Sequence, residues 1–184
     1  MRFLAVFFGF ALVLLAHAHK VIGISDGDTL TLLVDEKPLK VRLANIDAPE
    51  KAQPFGERSK QSLSDLCWGK DATYKEQDID RYGRTVAVVM CGGVEVNRAQ
   101  IERGMAWVYP QYNQDLSLPG LEAMARRDRR GLWTDAEPTP PWEFRRPQIK
   151  KASTMLPNSS VEGICFIDRY GEYHVVDGRK RYGC

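Results

Sequence analysis

The chain has 184 residues, 43% of them hydrophobic and 27% charged, with a formal net charge of +2 and only three histidines. This composition is ordinary for a soluble globular protein of one domain with room for an appendage. It excludes nucleic-acid binding driven by bulk positive charge. His17, His19 and His174 are too scattered for a histidine-based nucleophile, a His-metal cluster or a two-histidine acid–base pair.

The first 18 residues, MRFLAVFFGFALVLLAHA, carry one basic residue (Arg2), an apolar run from Phe3 to Leu15, and Ala16-His17-Ala18 as a cleavage signal. The run is shorter than the ~20 apolar residues of a spanning helix, so residues 1–18 read as a secretory signal peptide. The mature chain is expected to be exported, to the periplasm or the medium, with no transmembrane segment left. Export puts Cys67, Cys91, Cys165 and Cys184 in an oxidising compartment, where an even set implies two disulfides. Three connectivities are open, and proximity in sequence favours Cys67–Cys91 and Cys165–Cys184.

From Lys20 the chain opens with strand-like segments. KVIGIS leads into the DGDT turn, LTLLV reaches a second turn at DEKP, and LKVRLANI returns. In the second run Asp28, Leu30, Leu32 and Val34 share one face, which sets Asp28 at the end of an apolar row, where it needs a cation or several donors to stay ionised. A helix is predicted from Pro54 to Gly69 on the spacing of Phe55, Leu63, Leu66 and Cys67. Residues 72–90 return to strand character, broken at DRYGR. After Gly92-Gly93 and VEV, Asn97 is expected to cap a short helix, RAQIER, that stops at Gly104.

AWVY and a loop precede a helix over LPGLEAMARRDRRGLW, with Pro119 in its first turn, Gly131 at its end and a stripe of Leu121, Met124, Ala125 and Leu132. The order β-β-β, α, β-β, α, α implies an α+β protein built on a small barrel or sheet, over residues 19–143. EPTPPWEFRRP (137–147) marks a boundary. Residues 144–163 read as a linker, and 164–184 as a small hairpin clipped by Cys165 and Cys184.

With histidines scarce and no P-loop present, carboxylates and arginines remain for chemistry, and oxygen-only ligation suits a hard cation such as Ca²⁺ or Mg²⁺. The blocks SDGDTLTL, VRLANIDAPE and DRYGRTVAVV, followed by VNRAQIERGMAWVY and EAMARRDRRGLW, resemble the staphylococcal nuclease (thermonuclease) family over about residues 20–143. The resemblance implies a five-stranded OB-fold β-barrel with about three helices and Ca²⁺-dependent hydrolysis of DNA and RNA phosphodiesters.

It further implies Asp28 and Asp47 as Ca²⁺ ligands through their carboxylates, and Ala48 as a ligand through its backbone carbonyl where the family commonly has threonine. By the same resemblance Glu50 activates or orients the attacking water, and Arg42 and Arg84 hold the scissile phosphate. Two bidentate guanidiniums suit that last task, since negative charge builds on the diester oxygens during attack. The family's base-pocket tyrosine pair falls on Trp107 and Tyr109. Tyr82 and Tyr112 are further stacking candidates, and a monomer acting on single-stranded or denatured nucleic acid is expected.

Arg126, Arg127, Arg129 and Arg130, followed by Arg145, Arg146, Lys150 and Lys151, make basic runs that fit a solvated surface better than a phosphate track. Taken singly, Asp26 is a turn residue, Arg42 a solvated strand arginine and Glu50 a helix-start acid. A catalytically silent OB-fold that grips single strands is the competing function. It would need the cations and aromatics but has no use for Glu50, and all five residues of the catalytic set are present.

Overall fold

A type I′ hairpin sets the first register of the structure, a computed structural model that describes residues 17–146 and, in the tail, three strands within 164–183. β1 (His19–Ile24) and β2 (Thr29–Val34) are antiparallel, and β2 turns into β3 (Lys37–Leu43) through Asp35 and Glu36, at φ 46° and 62°. Positive φ at both central residues gives the twist that two adjacent strands require. β4 (Ile46–Asp47) leads to the first helix, α1 (Gly56–Cys67), and then come the long strands β5 (Asp71–Ile79) and β6 (Thr85–Cys91).

β1, β2, β3, β6 and β5 pair in a closed ring. It is completed by a parallel contact of β3 with β6, Val41 opposite Thr85 and Arg42 opposite Val86, and by β5 pairing back onto β1. This five-stranded barrel is the expected fold, and closure removes the exposed edges an open sheet would leave. Its interior holds Val21, Leu30, Leu32, Val41, Leu43, Ala87 and Val89, all buried. The row Leu30–Leu32 with Asp28 at its head points inward as the alternation requires.

Short β7 (Val94–Glu95) leads into α2 (Val96–Glu102); β8 (Trp107–Val108) pairs with β4; α3 covers Leu118–Arg127 and α4 is a single turn, Pro141–Phe144. Leu63 and Leu66 of α1, Val96 and Ile101 of α2 and Leu118 of α3 close the core from outside the barrel. In the tail β9 (Ile164–Ile167), β10 (Tyr173–Asp177) and β11 (Lys180–Gly183) form an antiparallel sheet of three strands, one more than the expected hairpin, because the chain reverses again after Asp177, which pairs with Lys180.

The structure corrects three local expectations. α1 begins at Gly56, after Phe55 at φ 68°, so Pro54 belongs to the preceding turn. α3 stops at Arg127 and Gly131 opens a separate 3₁₀ turn, so the expected stripe is not continuous to Leu132, and Met124 within it is 46% exposed. Asn97 does not cap α2: it lies inside the helix, 1% exposed. Its Nδ2 donates to the Ala44 and Ala87 carbonyls at 3.0 and 3.1 Å, and its Oδ1 accepts from the Val89 amide at 2.9 Å. The helix is thereby fastened to the barrel wall, a tertiary role that outweighs the local preference of asparagine for helix starts.

Cys67 and Cys91 form the favoured disulfide, joining the end of α1 to the end of β6 across a separation of 24 residues. The Cys165–Cys184 pairing, residues 1–16 of the expected signal peptide and the linker beyond Arg146 lie outside the described residues.

Asn97→Ala removes the side-chain partners of the Val89 amide and the Ala44 carbonyl, and one of the two donors to the Ala87 carbonyl, which keeps the Ala44 amide at 2.8 Å; it is expected to cost about 3 kcal/mol, read as a lower urea midpoint at unchanged slope. Reduction of Cys67–Cys91 should cost about 3 kcal/mol more, the closure entropy of a loop that long.

Candidate active site

Backbone geometry at one end of the barrel determines which side chains meet there. The turn SDGDT enters β2, with the Asp26 carboxylate accepting the Asp28 amide at 3.0 Å. Gly27 permits this turn to lie against α1, since a Cβ there would collide with Ser59 Oγ and stand 2.8 Å from the Ala48 methyl. The buried amide of Gln100 holds the turn in place, donating to the Gly27 and Ser59 carbonyls at 2.7 and 3.1 Å. Asp47 is fixed by the β4–β8 ladder, opposite Trp107, and Arg42 by the end of β3, opposite Thr29.

These placements bring Asp28, Arg42 and Asp47 into direct contact. Arg42 Nη2 stands 2.7 Å from Asp47 Oδ1 and 3.3 Å from Asp28 Oδ2, while its Nη1 donates to the Ile46 carbonyl at 3.1 Å. Asp28 Oδ2 also accepts the Ala48 amide at 2.9 Å, so the Ala48 peptide is locked beside the two carboxylates. Asp28 and Asp47 are buried, whereas the Glu50 side chain is 40% exposed at the rim. Gly56 brings the start of α1 against the Glu50 carbonyl, where a Cβ would not fit. The Glu50 amide donates to Gln53 Oε1 at 3.1 Å.

Arg84 approaches from the β5–β6 turn. Asp80 Oδ1 accepts the amides of Tyr82 and Arg84, which closes the DRYGR loop, and Arg84 Nε donates to Asp80 Oδ2 at 2.7 Å. Arg84 Nη1 reaches Thr29 Oγ1 at 3.3 Å, and that hydroxyl donates to Asp28 Oδ1 at 2.9 Å, so Arg84 joins the cluster through one hydroxyl. Tyr82 is 68% exposed under the Arg84 guanidinium. Tyr109 lies beneath Arg42, 5.9 Å from guanidinium carbon to ring centre, with Tyr112 edge-on.

Trp107 is 3% exposed and meets Trp133 edge-on among Ala125 and Leu132, so the structure makes it a core residue: α3 and the 3₁₀ turn at Gly131–Thr134 pack over it. The basic helix face is largely paired within itself, Arg126 with Glu122 and Arg127 and Arg130 with Asp128.

Sequence reasoning gave no catalytic or metal role to Trp142, at the end of the expected domain, or to Arg145, counted among the basic runs at the start of the expected linker. Arg145 grips both oxygens of Asp47, at 3.2 and 2.7 Å, and Glu50 Oε1 at 2.7 Å. Trp142 stacks on Tyr109, centroids 5.5 Å apart and planes 3° from parallel. Gln53 Nε2 donates to the Thr139 carbonyl and helps hold this return. The available signal was an aromatic and basic run after a proline-rich bend; nothing local says that the bend folds back.

Burial, then the Asp28 charge, pushes the Asp26 carboxyl up to about 6. Burial likewise moves Asp47 upward, against the pull of Arg145 and Arg42. On Arg145 burial works downward, but the hydrogen bonds to Asp47 and Glu50 more than offset it and raise the guanidinium. The four carboxylates Asp26, Asp28, Asp47 and Glu50 face the guanidiniums of Arg42 and Arg145, an excess of negative charge in a half-buried mouth.

Among the described residues no three His, Cys, Asp or Glu side chains converge as a ready cage. Asp28, Asp47 and the Ala48 peptide offer oxygen donors alone, a set whose chemistry suits a hard cation better than a metal that demands nitrogen or sulfur.

The family described as Staphylococcal nuclease homologue matches residues 40–135. A protein of Escherichia coli named "Uncharacterized endonuclease" is 44% identical over 135 residues, 72% of this chain and 88% of the relative. A Shigella flexneri "Micrococcal nuclease" is 41% identical over 138 residues, 69% of this chain and 79% of the relative. An "Uncharacterized endonuclease" of Haemophilus influenzae is 45% identical over 128 residues, 69% and 72%.

Because the folded chain binds the Asp26 proton more tightly than the unfolded chain does, stability present below about pH 4 should be lost as pH rises through about 6. With partial exposure discounted, the loss should be about 1–2 kcal/mol in chelator, and Asp26→Asn should abolish that part of the pH dependence of the urea midpoint.

Proposed function

The chain belongs to the staphylococcal nuclease homologue family, and from that premise we propose that it is an exported, Ca²⁺-dependent nuclease that hydrolyses phosphodiester bonds of DNA and RNA. The observation that carries the reading is the direct contact of Asp28, Arg42 and Asp47 at the barrel mouth, with Glu50 joined to Asp47 through a single guanidinium. A structural ion-pair cluster would not need a partly exposed carboxylate at its rim. A hydrolase does.

Asp28, Asp47 and the Ala48 carbonyl would hold the cation. When bound, Ca²⁺ would supply Lewis-acid charge to the phosphate and to the water that attacks it. Arg42, held from below by Asp47 and the Ile46 carbonyl, presents a fixed guanidinium to an anionic diester. Arg84 stands across Thr29 from it, so charge that develops on the equatorial oxygens meets two oriented forks. Glu50 accepts the proton of the water at its carboxylate, which the rim leaves reachable. Tyr82 offers an exposed aromatic face beside Arg84, and Tyr109 lies against Arg42 with its other contact taken by Trp142; aromatic rings beside the two arginines suit unpaired bases better than a duplex.

The N-terminal apolar run and the buried disulfide support export, to the periplasm or the medium.

Denatured DNA incubated with residues 19–184 should be cut in Ca²⁺ and left intact in chelator. Glu50→Gln, Arg42→Ala and Arg84→Ala should each lower kcat by about 10²–10³. Tight DNA binding with no cleavage in any divalent cation would sink the enzyme reading.

A further inference from the structure

We propose that the segment around α4 is an internal latch on this site: Arg145 holds the carboxylate oxygens that a divalent cation would take, and Trp142 covers the aromatic face that a nucleobase would take. The proposal rests on the reading of Asp28 and Asp47 as a cation site.

Both oxygens of Asp47 are engaged by guanidinium groups, Oδ1 by Arg42 and Arg145 and Oδ2 by Arg145. The Asp47 side chain is 1% exposed, so it has no free direction from which to receive a second cation. A divalent ion on Oδ2 would have to stand where Arg145 Nη2 now stands, 2.7 Å away, and the two positive charges repel. The same guanidinium occupies Glu50 Oε1, so entry of the ion and release of the general base are one event. Tyr109 lies beside Arg42 and hence beside the phosphate position, and the parallel Trp142 ring covers it in the way a base would.

The segment has a packed half and an open half. Pro141 is buried, and half-buried Trp142 packs on Tyr109 and against the cluster of Trp107 and Trp133, while Glu143, Phe144, Arg145 and Arg146 are exposed. Arg145 comes from the open half, so its guanidinium can leave the carboxylates without giving up core contacts of its own.

Calcium titrations by isothermal calorimetry on residues 19–184, with thermal melts in chelator as a folding check, separate the possibilities. Arg145→Ala and Trp142→Ala should each tighten Ca²⁺ binding about tenfold, the gain expected when a state closed in about nine molecules of ten is removed. Trp142→Ala keeps the Arg145 charge, so a gain confined to Arg145→Ala would reflect charge alone and overturn the latch. Unchanged affinity in both variants would also overturn it while leaving the cation site standing. Asp47→Asn should abolish the binding heat. If it does not, or if no form binds Ca²⁺, the cation-site reading falls and the latch with it.

Discussion

Two carboxylates buried at the mouth of a barrel are the constraint from which the rest of this structure follows. Removed from water, Asp28 and Asp47 cannot stay ionised without opposite charge, and burial penalises them whatever the fold gains elsewhere. Arg42 is the fixed part of the answer. It is placed by the β2–β3 register opposite Thr29 and held by the Ile46 carbonyl as well as by both acids. Arg145 is the loose part, arriving from a single helical turn 98 residues along the chain. A site so built has an excess of negative charge by construction, and a family that works on phosphodiesters has a use for it.

The buried scaffolding behind the mouth is polar and specific. Gln100 on α2 ties the Gly27 turn to α1, and Asn97 on the same helix ties Ala44, Ala87 and Val89 together. Both side chains act on backbone groups of neighbouring segments, Gln100 on the turn before Asp28 and Asn97 on the chain just after Arg42. The helix thus holds the backbone around the site in place as well as covering the core. Its amides do for the acidic turn what further ladder bonds would do for a longer strand.

Much of this is legible in the sequence. The alternation in β2 shows which way Asp28 faces, and the element order gives a small barrel or sheet; the five-stranded barrel and the roles of Asp28, Asp47 and Arg84 follow from the family resemblance of the blocks around them. What was not legible depended on contacts between distant segments. Asn97 looked like a cap because local preference is all that a sequence window contains. Trp107 reads as a possible stacking face, although Trp133, Ala125 and Leu132, eighteen or more residues further along, pack over it and bury it. Arg145 and Trp142 sat in a proline-rich bend whose return path depends on Gln53 and Tyr109, more than thirty residues upstream.

The place where the chain leaves the barrel has a geometric consequence for the tail. Arg145 is at the rim of the site, so the residues that follow start their course there and not on the far side of the barrel. Eighteen peptide steps separate Arg146 from Ile164. Even fully extended they reach no further than about 65 Å. The three-stranded tail is therefore tethered to the mouth, and whatever surface it offers is present there at a local concentration set by chain length, independent of how dilute the protein is.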